Sequence, residues 1–153
     1  MSEIAAACLA AQLAKVAEIN ADRRTIWNKY YQALAPLQQR QILELPRIPA
    51  YAAHNSHIFW LKWHSEVSRQ SFIRFMGEAE ISVAFHYVPL HSTPIGRATG
   101  RFSGADLFTS REASRLVRLP LYRTLSGKQQ DEVISRIFAF AKTIDHKALL
   151  SCL

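Results

Sequence analysis

The run Phe85-His86-Tyr87-Val88-Pro89-Leu90-His91 brings two imidazoles and a phenol to the end of an apolar stretch that a proline halts. Histidine exchanges protons near neutral pH, and tyrosine can donate to a sugar hydroxyl or a phosphate. A strand that stops this way delivers polar side chains into a cleft. Successive strand residues point to opposite faces, so a regular strand cannot turn both His86 and Tyr87 to one ligand. A backbone-bonded histidine and a tyrosine at a sheet edge stay open as structural readings of the same pair.

Two other spacings invite chemistry. Gly96, Gly100 and Gly104 alternate with Arg97 and Arg101, a pattern that can wrap an anion, because glycine lets backbone approach and guanidinium forks grip phosphate. A flexible surface loop explains the same residues. His54 and His57 flank Asn55-Ser56, but no third ligand is near in sequence, so a structural role is expected and no metal. No Walker or dinucleotide glycine motif is present, and no Ser-His-Asp or Cys-His pattern supplies a nucleophile. The chain therefore reads as one wall of a site, with no catalytic residue of its own.

Periodicity shows the elements that must position these groups. Residues 3–34 read as one long helix, with Ile4, Cys8, Leu9, Leu13, Val16, Ile19, Ile26, Trp27, Tyr30 and Leu34 at three- and four-residue steps. Ser2 is a candidate N-cap and Pro36 the expected end. About 32 residues would span roughly 48 Å, more than a small domain is wide, so a bend is expected near Asn20-Ala21-Asp22. Only Glu3 carries charge between Ser2 and Ala14. Such a segment needs cover on more than one side, and it predicts a chain that continues upstream.

A connector over 37–53 holds a short extended piece, Ile42 to Leu45. Strands are predicted over 57–63 and 81–87, separated by a helix over 67–79 that buries Phe72, Ile73, Phe75 and Met76. A long loop, 88–108, follows; loops of that length are usually functional or covered by a partner. Thr109 with Glu112 suggests a capping box opening a helix to about Val117. Leu119-Pro120-Leu121 reads as an edge strand, and Ser126 caps a last helix over 127–144 with Val133, Ile134, Ile137, Phe138 and Phe140 inward. The tail, 145–153, is expected to fray. The fold class is α+β: a small, mostly antiparallel sheet with helices on one face, preceded by a long N-terminal helix. The long helix takes residues 1–36 and the α+β body residues 37–153.

Composition agrees with a folded body. Of 153 residues 49% are hydrophobic, and the net charge is +7 from 19 basic against 12 acidic side chains. The basic residues are scattered, without a run or a nucleic-acid motif, so they read first as a solvated basic surface and next as groups for a phosphate-bearing small ligand. No apolar run approaches the roughly 18 residues of a membrane span, and a cytoplasmic protein is expected. Cys8 and Cys152 show no metal or redox spacing and read as ordinary thiols, with Cys8 packed on its helix.

Several spaced segments together resemble one family. Met1-Ser2-Glu3-Ile4-Ala5-Ala6-Ala7 with Gln12-Leu13, Asn55-Ser56-His57-Ile58-Phe59, Ala84-Phe85-His86-Tyr87-Val88-Pro89-Leu90-His91, and Ser114 to Tyr122 with Gln129 occur in the order seen in the C-terminal part of DegT/StrS-type sugar-nucleotide aminotransferases. The resemblance implies a fold-type I pyridoxal-phosphate enzyme that aminates a keto-sugar carried on a nucleoside diphosphate, such as a dTDP-4-keto-6-deoxyhexose for cell-surface polysaccharide synthesis. It implies that His91, Tyr87 and His86 line the cleft between small and large domains and help hold the nucleotide-sugar, with Arg97 and Arg101 as candidates for its diphosphate. It also implies that the Schiff-base lysine and phosphate cup lie in an upstream domain, so that no cofactor is held by this chain and it is inactive alone.

Two other readings stand beside this one: an interaction domain docking on a separate large-domain chain, and a basic nucleotide- or nucleic-acid-binding module. The apolar opening predicts self-association through residues 3–19, as a homo-oligomer.

Overall fold

The computed structural model describes residues 1–150, with side chains described through Ile144; Cys152 lies outside the described residues. The predicted first helix is two helices, α1 (Glu3–Leu13) and α2 (Val16–Gln39). Their axes bend by 68°, at Ala14-Lys15 rather than at Asn20-Ala21-Asp22. Ser2 caps α1 by accepting from the Ala5 N–H at 3.2 Å. Pro36 does not end α2, which continues to Gln39. The stop is a Schellman turn: Gln41 takes a left-handed φ of 57°, its N–H donates to the Gln38 carbonyl, and Ile42 N–H donates to Leu37. A non-glycine residue in that position hid the stop from a sequence reading. Among the described residues no single helix is long and apolar enough to cross a membrane.

The remaining elements are β1 (Phe59–Lys62), α3 (Glu66–Glu78), β2 (Ala84–Phe85), α4 (Pro94–Thr99), α5 (Thr109–Arg115), β3 (Leu116–Leu119) and α6 (Gly127–Leu150). The strands form one antiparallel sheet of order β1-β3-β2, with Leu61 opposite Val117 and Phe85 opposite Val117 on the other side. The segment expected as an edge strand is thus displaced. The strand is Leu116–Leu119, it is central, and Pro120 falls just beyond it, where a missing N–H breaks no ladder. Helix α5 passes into β3 without a loop, which is why Val117 reads as helical in sequence and is a strand residue in the fold. The predicted strand over 81–87 shrinks to two exposed residues. The long loop contains a 3-10 turn, Leu90–Ser92, and α4, which Thr93 caps by accepting from Gly96 N–H at 3.0 Å with Pro94 in the first turn.

Alternation along the strands decides the layers. Phe59, Leu61, Val117 and Leu119 are buried under α2, α3 and α6, while Trp60, Lys62, Leu116 and Arg118 on the opposite face stay half-exposed. Trp63, Phe72 and Phe140 form the aromatic centre, with ring centroids 4.9–5.2 Å apart. Ile26, Trp27, Tyr30 and Leu34 of α2 and Val133 and Ile137 of α6 close it, as their spacing predicts. Tyr30 is fully buried and donates to the Pro120 carbonyl at 3.0 Å; burial pushes its phenol well above the ordinary range. Helix α1 differs: none of its residues is buried, and Cys8, expected to be packed, is exposed. Helix α6 keeps its backbone helical to Leu150, beyond the expected 144.

A charged cluster fastens the sheet to its surroundings. Lys62 Nζ lies 2.6 Å from Glu44 and 2.7 Å from Glu112, and Arg115 reaches Glu44, Glu112 and the Trp63 carbonyl. Glu44 also pairs by backbone with Lys62, so the predicted extended piece at 42–45 becomes a bridge to β1. Glu112 therefore serves Lys62 instead of the capping box, and Phe108, not Thr109, is the N-cap of α5. Ser126 and Gln129, in contrast, make both reciprocal bonds of a box at the start of α6.

Candidate functional site

Because β2 ends at Phe85, His86 and Tyr87 are freed from strand alternation. Their rings meet edge-to-face with centroids 5.2 Å apart, an arrangement a regular strand would forbid. Arg118 of β3 stands beside them. Its guanidinium lies 5.5 Å from the Tyr87 ring and donates to the Phe85 carbonyl at 3.4 Å, while its Nε is buried without a partner. His86 also borders an open groove of about 360 Å³ on the uncovered sheet face, lined by Trp27, His54, His57, Trp60 and Leu116 among others. There Asn55 Oδ1 accepts from the His57 backbone at 3.3 Å and lies 2.8 Å from its Nδ1, fixing that ring. His54 packs on Trp27, centroids 4.7 Å apart, a structural role like the one expected of it. Among the described residues no three metal-ligating side chains come together.

His91 belongs to a second cluster. Its Nε2 lies 2.8 Å from Asp106 Oδ2, and the Phe102 ring lies 4.2 Å from its own. Ser110 donates to Asp106 through its hydroxyl and, at 3.2 Å, through its backbone N–H. The Ser110 hydroxyl bond, with help from His91 against the opposing effect of burial, lowers the Asp106 carboxyl to about 2. His91 borders a groove of about 330 Å³ with Leu90, Ile95, Gly96, Thr99, Gly100 and Arg101. Gly96 is required here: a Cβ would come within 1.8 Å of the Leu90 carbonyl oxygen.

The structure thus brings His86 and Tyr87 together and sets His91 beside Arg101, but no hydrogen bond, ion pair or ring contact joins the two groups among the described residues. Arg97, in the last turn of α4, is exposed and lines neither groove. Sequence reading missed Asp106, Ser110, Phe102 and Arg118, which only tertiary contact places near the histidines. The one available signal was an aspartate three residues before a helix start. The arrangement offers aromatic surface, imidazole and guanidinium groups, suited to sugar and phosphate.

Known proteins share this architecture. The family model described as the DegT/DnrJ/EryC1/StrS aminotransferase family matches residues 1–138. The dTDP-3-amino-3,4,6-trideoxy-alpha-D-glucose transaminase of Micromonospora megalomicea subsp. nigra is 29% identical over 139 residues, covering 90% of this chain and 36% of the relative. The crystal structure of DesV from S. venezuelae, in complex with a ketimine intermediate, superposes with a TM-score of 0.79 at 23% identity, over 89% of this chain and 35% of that one. NtdA from Bacillus subtilis, solved with bound cofactor PMP, gives 0.69 at 25% identity, over 81% of this chain and 28% of that one. The chain spans about a third of the length of the relatives it matches. With the helix pair, the three-stranded sheet and the His86–His91 turn all inside the matched residues, the chain belongs to the DegT/DnrJ/EryC1/StrS aminotransferase family.

Proposed function

We propose that these residues are the small-domain wall of a cytoplasmic, pyridoxal-phosphate-dependent aminotransferase acting on a nucleotide-sugar, a dTDP-4-keto-6-deoxyhexose used for cell-surface polysaccharide. The family match over residues 1–138 carries the reading. His86, Tyr87 and His91 contact the nucleotide-sugar, with Arg97 and Arg101 toward its diphosphate. Residues 1–36 lead from the large domain and 37–153 form the small one. The polypeptide on its own holds no cofactor and does not transaminate.

Neither Lys62 nor Lys29 fits a Schiff-base role. Such a lysine needs an ammonium that loses its proton readily. Burial favours proton loss from Lys62, but the hydrogen bonds it donates to Glu112 and Glu44 outweigh it and raise its pKa above the ordinary value. Lys29 is tied to Asp131 at 2.6 Å and to the Gly127 carbonyl. Incubation with pyridoxal phosphate, borohydride reduction and mass spectrometry should leave the chain unmodified at any single lysine; a stoichiometric adduct at one site would overturn the proposed division of labour. Titration of the labelled chain with dTDP-glucose should perturb resonances of His86, Tyr87 and His91, and an unperturbed spectrum would count against the ligand class.

Helix α1 supports self-association through residues 3–19. Ile4, Leu9 and Leu13 stand exposed along it, as does Val16 at the start of α2. Sedimentation should show a concentration-dependent oligomer, and a monomer at high concentration would remove this part of the reading.

A further inference from the structure

We propose that Asp106, steadied by Ser110, is a positioning residue: it keeps the proton of His91 on Nε2 and leaves Nδ1 as the acceptor for a hydroxyl of the sugar. The ligand named here rests on the nucleotide-sugar reading above; the positioning does not.

The hydrogen bonds place a proton on His91 Nε2. Ser110 donates its backbone N–H to both Asp106 oxygens at 3.2 Å, and its hydroxyl to Oδ2. A carboxylate held that way accepts only, so the 2.8 Å contact from His91 requires a proton on Nε2. The low pKa of Asp106 agrees with an acceptor that stays ionised. Ser110 Oγ lies 3.5 Å from the same Nε2, so hydroxyl, carboxylate and imidazole meet around one carboxylate oxygen. That excludes a nucleophile–base relay, which needs the two ring nitrogens bonded to different partners.

His91 Nδ1 has no hydrogen-bond partner among the described residues, and Phe102 lies against the ring at 4.2 Å. The backbone that presents the ring is also fixed. Thr93 donates its N–H at 3.1 Å and its hydroxyl at 2.7 Å to the Leu90 carbonyl, and Gly96 packs against the same oxygen too closely for any side chain. A neutral imidazole with Nε2–H offers a lone pair at Nδ1, which recognises a hydroxyl donor. Second contacts of this kind fix tautomer and ring orientation.

Nitrogen-15 NMR of the labelled chain tests this. The wild type should show a far-downfield His91 Nε2–H signal that exchanges slowly with water. Asp106→Ala should abolish that signal while the backbone amide spectrum away from 88–112 is retained. Adding dTDP-glucose should move the His91 Nδ1 resonance in the wild type. A wild-type ring protonated on Nδ1, or without a protected Nε2–H, overturns the positioning. A Nδ1 resonance left unmoved while dTDP-glucose shifts its neighbours overturns the acceptor role. If dTDP-glucose moves nothing while the Nε2–H signal is present and lost in Asp106→Ala, the positioning stands and the nucleotide-sugar reading fails.

Discussion

The helix-covered body and the stretch from β2 to α5 are built from the same kinds of residue and meet opposite fates. Phe59, Trp63, Phe72 and Phe140 are enclosed by α2, α3 and α6, whereas Phe85, Tyr87, Leu90, Phe102 and Phe108 stand exposed beside them in sequence. Burial of an aromatic is therefore decided by how many elements surround it, not by its own hydrophobicity. The first group holds the fold together. The second, with α1, leaves large apolar side chains exposed, Leu90, Phe108, Ile4 and Leu13 among them.

The widest test of that contrast is to truncate one ring on each side. Trp63→Ala should cost about 3–5 kcal/mol in urea unfolding, because a cavity opens between Phe72 and Phe140. Tyr87→Ala, removing an exposed ring, should stay within about 0.5 kcal/mol. Equal losses would break the comparison. Trp63→Phe sharpens it: the indole Nε1 is buried without a partner, so the smaller ring discards an orphan donor and should cost less than about 1.5 kcal/mol.

The charged cluster comes next in size. At Glu44 burial opposes ionisation, but the hydrogen bonds from Lys62 and Arg115 prevail and lower its pKa below 4.5. At Glu112 the Lys62 hydrogen bond leads, also lowering it from 4.5. A carboxyl depressed in the folded state stabilises above its unfolded pKa and loses that contribution as pH falls through the folded value. Stability should therefore drop as pH falls below about 4.5, and Lys62→Met should flatten that slope and cost about 1 kcal/mol at pH 7. An unchanged acid slope in the variant would show that the cluster is ornamental.

Smaller still is the turn that ends α3. Glu80 holds a φ of 57°, with Ile81 N–H donating to the Met76 carbonyl. Glu80→Gly should relieve the left-handed strain and raise stability by about 0.5 kcal/mol, net of glycine's entropy. On the open side, Leu13→Glu on α1 should leave the urea midpoint unmoved, since its side chain is exposed, while weakening self-association in sedimentation. A lowered midpoint would mean that α1 belongs to the body after all.

Most of the core was legible because helical period is a local property. Ile26, Trp27, Tyr30 and Leu34 could be picked from spacing, as could Phe72 and Met76, and all are buried. Strands were less legible. β3 has four residues and follows a helix directly, so nothing in its own pattern marks it as central; its pairing with both neighbours does. The stop at Gln41 was hidden because a left-handed glutamine leaves no glycine to read, whereas the end of α3 was placed within one residue. His86, Tyr87 and His91 drew notice through their residue types, while Asp106 and Ser110 needed a loop to fold back across fifteen or more residues.

Local sequence determined where helices form, which of their faces are apolar, and which short segments mark the family, since these depend on neighbours three or four positions away. Tertiary structure alone decided which aromatics are enclosed, which strand is central, that Glu112 serves Lys62 rather than its own helix, and which carboxylate holds His91. Each of those is settled by competition among groups distant along the chain, and the winner depends on geometry that no single segment contains.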